Sequence, residues 1–270
     1  MKVSKGYISL FLAVCFLLLS CATVPVTGRK QLSLIPGSTM LSMSFRQYDE
    51  FLKTHKLSTN VGQPQTVKTV GKRIQKAVEG YFAERNMSRE LQDYEWEFNL
   101  VESPEVNAWC MPGGKVVIYT GILPLTEDEA GLSVIMGHEI AHAVAKHGNE
   151  RMSQGLITQM GGMALSKALE EKPDKTQELW MVAFGIGAQF GVLLPYSRLH
   201  ENEADHLGLI FMAMAGYDPH KAVEFWGRMA KMKGGKTAPE FMSTHPSDER
   251  RIRKIRELIP KAMHYYKKGN

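Results

Sequence analysis

The residues in this chain best suited to chemistry are His138-Glu139-Ile140-Ala141-His142. On an α-helix, positions i and i+4 stack on one face, so both imidazoles can reach one metal ion. Imidazole nitrogen suits zinc at about 2.0–2.1 Å. Glu139 lies next to the first histidine, where it can take a proton from an attacking water. The implied chemistry is metal-assisted hydrolysis of a peptide bond. A catalytic site needs a third protein donor and one open position. Candidates lie in Ser197-Arg198-Leu199-His200-Glu201-Asn202-Glu203-Ala204-Asp205. Glu201 and Asp205 are four apart and share a helix face. Glu201 is the expected third ligand. Asp205 is the expected catalytic partner that orients a ligand histidine. Glu203 is expected to point elsewhere on that helix. His200 and His206 compete as ligands, although each alone is more often a surface or capping histidine.

A buried helix must hold the two histidines. Ser133, Val134, Ile135 and Met136 precede them, and Ile140, Ala141, Ala143, Val144 and Ala145 surround them. Two His and a Glu inside such a helix need a reason to be there. Thr126 with Glu129 matches a capping box, and Gly148 reads as the stop after about His147. Upstream, residues 94–101 alternate large apolar and polar side chains, as a half-buried strand does. Residues 115–119 form a second strand after the Pro112-Gly113-Gly114 turn, with 105–111 as its hairpin partner. Helices are expected over 38–57, 64–86, 151–170, 176–194, 199–215, 218–232 and 247–265. Residues 22–37, with Pro25, Gly28, Pro36 and Gly37, read as a tether and lead-in loop. The apolar run 180–194 is shorter than the ~20 residues that span a bilayer. It reads as a buried helix or a mobile flap.

The chain has 270 residues, 44% of them apolar and 23% charged, which excludes a disordered chain or a fibre and is enough for one substantial core. The net charge is +5. Arg250, Arg251, Arg253, Lys254, Arg256, Lys261, Lys267 and Lys268 are interspersed with Asp248, Glu249 and Glu257, and read as a solvated helix face rather than a nucleic-acid surface. Lys2 and Lys5 precede an almost wholly apolar stretch from Ile8 to Leu19, which reads as a secretory signal peptide. Leu18-Leu19-Ser20-Cys21 resembles a bacterial lipobox with Cys21 as the lipidated residue. Ala22 after it, by resemblance to bacterial lipoproteins, favours the outer membrane. Cys110 is then the one thiol of the mature chain, so no disulfide is expected, and a four-thiolate zinc cluster is excluded. The expected organisation is a lipoprotein signal peptide over 1–20, a lipid-anchored tether over 21–37 and a zinc metallopeptidase domain over 38–270.

These motifs together resemble the HtpX-like and CAAX-prenyl-protease-like zinc metallopeptidases, and are most similar to their periplasmic lipoprotein members. The resemblance is carried by His138-Glu139-Ile140-Ala141-His142-Ala143 with His147, and by Asn107-Ala108-Trp109 with Pro112-Gly113-Gly114-Lys115 and Tyr119-Thr120-Gly121. Arg198, Glu201, Glu203, Ala204 and Asp205 match the third-ligand motif. Thr244-His245-Pro246-Ser247 with Arg250, Arg251 and Ile252 matches a C-terminal His-Pro segment. It covers about residues 22–260. It implies an α+β, mainly helical, zincin-type (gluzincin) domain with a small sheet beside the active-site helix, and one Zn(2+) per chain. It implies that Asn107, Ala108 and Trp109 hold substrate as an added strand. It leaves His245 as a blocker of the water position, a donor to the oxyanion, or a bystander beside a helix capped by Ser247. The partners implied are unfolded or misassembled envelope proteins, and a membrane reached through the lipid anchor. The competing reading is a zinc-stabilised chaperone or assembly factor with a masked site. A one-domain soluble peptidase on a lipid anchor is the architecture expected.

Overall fold

The computed structural model describes residues 21–189, 193–232, 240–246 and 249–266. The signal-peptide reading of 1–20 and the capping role of Ser247 fall outside them. Where the sequence suggests a tether, strands β1 (Cys21–Thr23) and β2 (Lys30–Leu32) pair antiparallel, and Val24 between them is fully buried in the main core. Helix α1 (Gly37–Thr54) buries Met40, Ser44 and Tyr48. Helix α2 (Gln63–Ala83) buries Val67, Val70, Ile74, Ala77 and Val78, a helical stripe read correctly from its spacing.

Three strands follow, β3 (Glu97–Val101), β4 (Ala108–Met111) and β5 (Lys115–Tyr119), in the order β3-β5-β4. β5 is parallel to β3 and antiparallel to β4. The β4–β5 hairpin turns through Gly113 and Gly114, with φ of 89° and 84° that disfavour any side chain. All five residues of β5 are buried, as expected of a central strand covered on both faces, whereas β4 is an edge.

Helix α3 (Glu129–Val144) runs through the centre, buried at every position from Gly131 to Val144. Its cap corrects the expected capping box. Asp128 accepts the Gly131 amide at 2.7 Å, while the Thr126 hydroxyl turns back to the Leu123 carbonyl. Its end is also different. The helix stops at Val144, Lys146 takes a left-handed φ of 59°, and helix α4 (His147–Ala168) starts at once, with Gly148 inside it. Helix α5 (Asp174–Ala188) has no buried residue, which overturns the buried-helix reading of this run. Among the described residues, no helix is long and apolar enough to cross a membrane.

Helix α6 (Leu194–Met214) packs directly on α3. Gly137 and Gly208 meet at the crossing, where an added Cβ would lie 2.9 Å from backbone atoms of the other helix. Helix α7 (Lys221–Met232) buries Ala222, Phe225, Trp226 and Met229. Helix α8 (Glu240–Thr244) is a short turn leading to His245. Helix α9 (Glu249–Met263) buries Arg251, Ile255, Ile259 and Ala262. Arg251 is thus not part of a solvated basic face.

Candidate metal centre

The α3–α6 crossing brings the expected residues together. His138 and His142 come from α3 and Glu201 from α6, and His245 reaches in from beyond α8. One donor atom from each of the four lies within 4.8 Å of all the others. His142 Nε2 is 3.1 Å from His138 Nε2, which is 3.2 Å from His245 Nδ1. Glu201 touches His142 at 3.2 Å, His138 at 3.4 Å and His245 at 3.0 Å. Tetrahedral donors about 2.0–2.1 Å from zinc are about 3.3–3.4 Å apart, so this spacing is close to that of a zinc tetrahedron.

The chemistry of the donors agrees. His138 turns Nδ1 to Asp205 at 3.0 Å, leaving Nε2 to face the centre. His142 likewise has its Nδ1 engaged, by His147 at 2.9 Å. With their protons on the far side these imidazoles would present lone pairs to one another, and a shared cation would satisfy them. Burial and Arg251 disfavour a proton on His138, yet Asp205 and Glu201 outweigh them and lift its pKa to about 9. Burial keeps His142 well below the usual imidazole range, hence neutral. Burial raises Glu201, but hydrogen bonds from His138, His142 and His245 prevail and hold it ionised, well below the usual carboxylate range. A neutral imidazole, an anionic carboxylate and a second imidazole with strong affinity for positive charge make a cation site. The residues present fit a metal.

Asp205 sits where the sequence places it, and shares Arg251 with Glu201. The guanidinium bonds Asp205 at 2.7 and 2.9 Å, approaches Glu201 at 3.2 Å, and stacks 3.4 Å over the Trp226 ring. Buried Asp205 is kept ionised against its burial chiefly by Arg251 and His138. Glu139 is buried and its Oε1 has no hydrogen-bond partner; burial raises its pKa. His245 Nε2 is 3.7 Å from that oxygen. His245 is therefore beside the centre, which removes the bystander reading.

Glu139, His142 and His245 open onto a cavity of about 540 Å³, whose wall includes Asn107, Ala108, Trp109 and Cys110. β4 thus lies with its edge along the cleft. The Asn107 carbonyl accepts the Tyr119 amide at 3.2 Å, so it faces β5, and its side-chain oxygen accepts the Ala108 amide at 2.9 Å.

Two competing ligands are excluded. His200 bonds Glu150 at 2.8 Å, away from the centre, and His206 lines a different surface cleft with Lys261. Three residues escaped the sequence reading. Glu203 points elsewhere on α6, as expected, but there it accepts from His147 at 3.0 Å and from Arg29 at 3.0 Å. Its own carboxyl is raised by burial but pulled down to about 2 by His147, Thr27 and Arg29. Arg251 sits under the donor cluster, and its signal was available: it is four residues before Ile255 on the apolar stripe. Arg29 carried no such signal, because its partners Glu150 and Glu203 are far away in the chain.

The chain is similar to known proteins. The family model described as Peptidase family M48 matches residues 69–259. The chain is 38% identical over 174 residues to the Mitochondrial metalloendopeptidase OMA1 of Schizosaccharomyces pombe, covering 64% of this chain and 49% of that protein. It is 28% identical over 286 residues to the protein of that name from Saccharomyces cerevisiae, covering 100% of this chain and 78% of the relative. A Putative beta-barrel assembly-enhancing protease of Vibrio cholerae is 28% identical over 167 residues, or 59% of this chain and 34% of that protein. The match thus spans about half the fission-yeast relative. The profile match begins within α2 and ends within α9, takes in every residue of the centre, and by it the chain belongs to peptidase family M48.

Proposed function

We propose that the chain is a zinc endopeptidase in which His138, His142 and Glu201 hold the metal and Glu139 is the general base. The observation that carries this reading is the buried donor cluster beside a cleft that Glu139, His142 and His245 line and an edge strand walls. Zinc held there supplies Lewis acidity, which brings the pKa of water towards about 7 and polarises the scissile carbonyl. Glu139 takes the proton of the attacking water and delivers it to the leaving amine. Its raised affinity for protons suits both halves of that transfer. Asp205 accepts from His138 Nδ1 and so keeps Nε2 directed at the centre.

Substrate lies along the segment Asn107, Ala108 and Trp109 as an added strand, held by backbone hydrogen bonds on the side of β4 away from β5. Recognition through the backbone is nearly independent of sequence, as a protease for unfolded or misassembled proteins requires. The apolar stretch before Cys21 and its lipobox pattern support a lipid-anchored protein of the bacterial envelope, on the outer membrane facing the periplasm. The name of the Vibrio cholerae relative supports an envelope substrate, whereas the yeast relatives are named as mitochondrial proteins.

His245 favours one second reading. It supplies a fourth donor around the centre, where an open position is needed for water. A chain masked in this way at all times would be a zinc-stabilised chaperone or assembly factor. The cleft, and a buried Glu139 oxygen with no hydrogen-bond partner, favour the enzyme, with His245 as its resting cover. Glu139→Gln tests the mechanism: zinc content should match wild type, while cleavage of unfolded casein falls by at least about 10²–10⁴-fold. Wild-type cleavage by that variant would refute the assignment of the base.

A further inference from the structure

His142 can offer Nε2 to a metal only if its proton resides on Nδ1. For His138 the acceptor of that proton is a carboxylate, Asp205. For His142 it is another imidazole, with Nδ1 of His147 at 2.9 Å. Two Nδ1 atoms at that distance share one proton, and either ring could supply it. The other end of His147 decides. Its Nε2 lies 3.0 Å from Glu203 Oε2, and an ionised carboxylate only accepts. His147 therefore carries its proton on Nε2, its Nδ1 is a bare acceptor, and the shared proton belongs to His142. The break at Lys146 makes this possible by turning the start of α4 so that His147 faces back onto His142.

Glu203 is in turn held from outside the helices. The Thr27 hydroxyl donates to one oxygen, and Arg29 Nε to the other at 3.0 Å. The rest of the Arg29 fork grips Glu150 at 3.0 and 2.7 Å. Glu150 also binds His200, whose ring stacks on His147 at 4.3 Å. Thr27 and Arg29 lie in the turn between β1 and β2, only a few residues beyond Cys21. We propose that Glu203, acting through His147, fixes the tautomer of His142 for metal binding, and that the N-terminal hairpin holds Glu203 in this role through Thr27 and Arg29. Glu203, His147 and Arg29 are positioning residues. The segment nearest the proposed anchor thereby completes the metal centre.

This inference rests on reading His142 as a metal ligand, and its test does not use cleavage. The full chain is stripped of metal, and zinc affinity is measured by competition with a chromophoric chelator. Cobalt spectra report the ligand field, and metal-free melting reports the fold. His147→Phe and Glu203→Gln should weaken zinc binding by roughly 10–100-fold, and Arg29→Gln should follow in the same direction. The cobalt bands should shift in all three. Folded His147→Phe with wild-type zinc affinity would overturn the proposal and leave the peptidase reading standing. In the unmutated zinc-loaded chain, ¹⁵N-histidine spectra should show His142 protonated on Nδ1 and His147 on Nε2. A proton on His147 Nδ1 would overturn the proposal even if every variant failed to fold. A wild-type chain that bound no zinc would overturn the metal-centre reading itself.

Discussion

The two helices that carry the centre touch at a pair of glycines, and Gly208→Ala tests whether that contact sets the site. A Cβ at Gly208 would lie 2.9 Å from the His138 amide nitrogen, 3.0 Å from the Gly137 carbonyl carbon and 3.1 Å from the His138 Cα, against an ordinary contact of 3.4–4 Å. All three are backbone atoms, so no side chain can swing away, and α3 and α6 must separate by roughly half an ångström. Overpacking of this kind costs about 1–3 kcal/mol. Alanine also returns about 1 kcal/mol of helix propensity. Gly227→Ala on α7 isolates that second effect, because nothing lies within 4 Å of its added Cβ. The two variants should differ by about 1–3 kcal/mol, with Gly227→Ala the more stable. At about 2–4 °C per kcal/mol for a chain of this size, that is a gap of roughly 2–12 °C in Tm. Thermal melts of the metal-free chain followed by circular dichroism measure it. Zinc titration of the same samples should show weaker binding for Gly208→Ala alone, since α6 carries Glu201 and Asp205 while α3 carries the histidines. If Gly208→Ala melted at or above Gly227→Ala with unchanged zinc affinity, the crossing would not be what positions the ligands.

His245→Ala removes the fourth donor and should raise cleavage of unfolded casein while leaving zinc bound; a chain that then binds casein without cutting it supports the chaperone reading. Glu150 gives a pH prediction. Burial alone would raise its pKa, but His200 and Arg29 hold it at about 2 against an ordinary 4.5. A depressed carboxyl stabilises the fold above its unfolded pKa and loses that contribution as pH falls through the folded one. Glu150→Gln should therefore lower Tm at pH 7 and flatten its decline between about pH 4.5 and 2, and parallel Tm–pH curves would count against the ion pair. Methylating alternate backbone nitrogens of a peptide substrate should raise KM when the blocked groups face β4, and equal KM for both methylation registers would argue against strand addition.

What the sequence made legible, and what it hid, divide along one physical line. His138, His142, Glu201 and Asp205 are each one helical turn from a partner, so a period of 3.6 was enough to pair them. Glu203 fails that test. Two positions from Glu201, it points away from Glu201's face, and spacing alone assigns it elsewhere. It returns to the site only because His147 comes to meet it from another helix. That meeting depends on Lys146 adopting a left-handed φ, a conformation that glycine adopts without strain. The nearby Gly148 drew the expected break two residues too far. The buried-helix alternative for the α5 run fails for the opposite reason. Apolar composition shows that a helix lacks charge, not that the fold supplies a neighbour to cover it.

Arg251 and Arg29 show the cost of reading charge by neighbourhood. Arg251 lies in a basic run, and its neighbours suggested solvent; the stripe it shares with Ile255 and Ile259 carries it inward beneath Asp205. Arg29 follows a glycine in a segment that looks like a loop, yet it joins α4 to α6 through Glu150 and Glu203. Neither placement is local. Each becomes necessary once α3 and α6 close on a buried set of carboxylates, because an unpaired buried anion is costly and a guanidinium fork satisfies two at once. The donor residues could thus be found from periodicity, whereas their supports follow from the charge that these donors bring inside. Asp205 calls for Arg251, and the Glu203 that His147 requires calls for Arg29. In this chain the buried donor cluster selects the residues around it through electrostatics, and the N-terminal hairpin is tied to the helices by the Arg29 ion pairs.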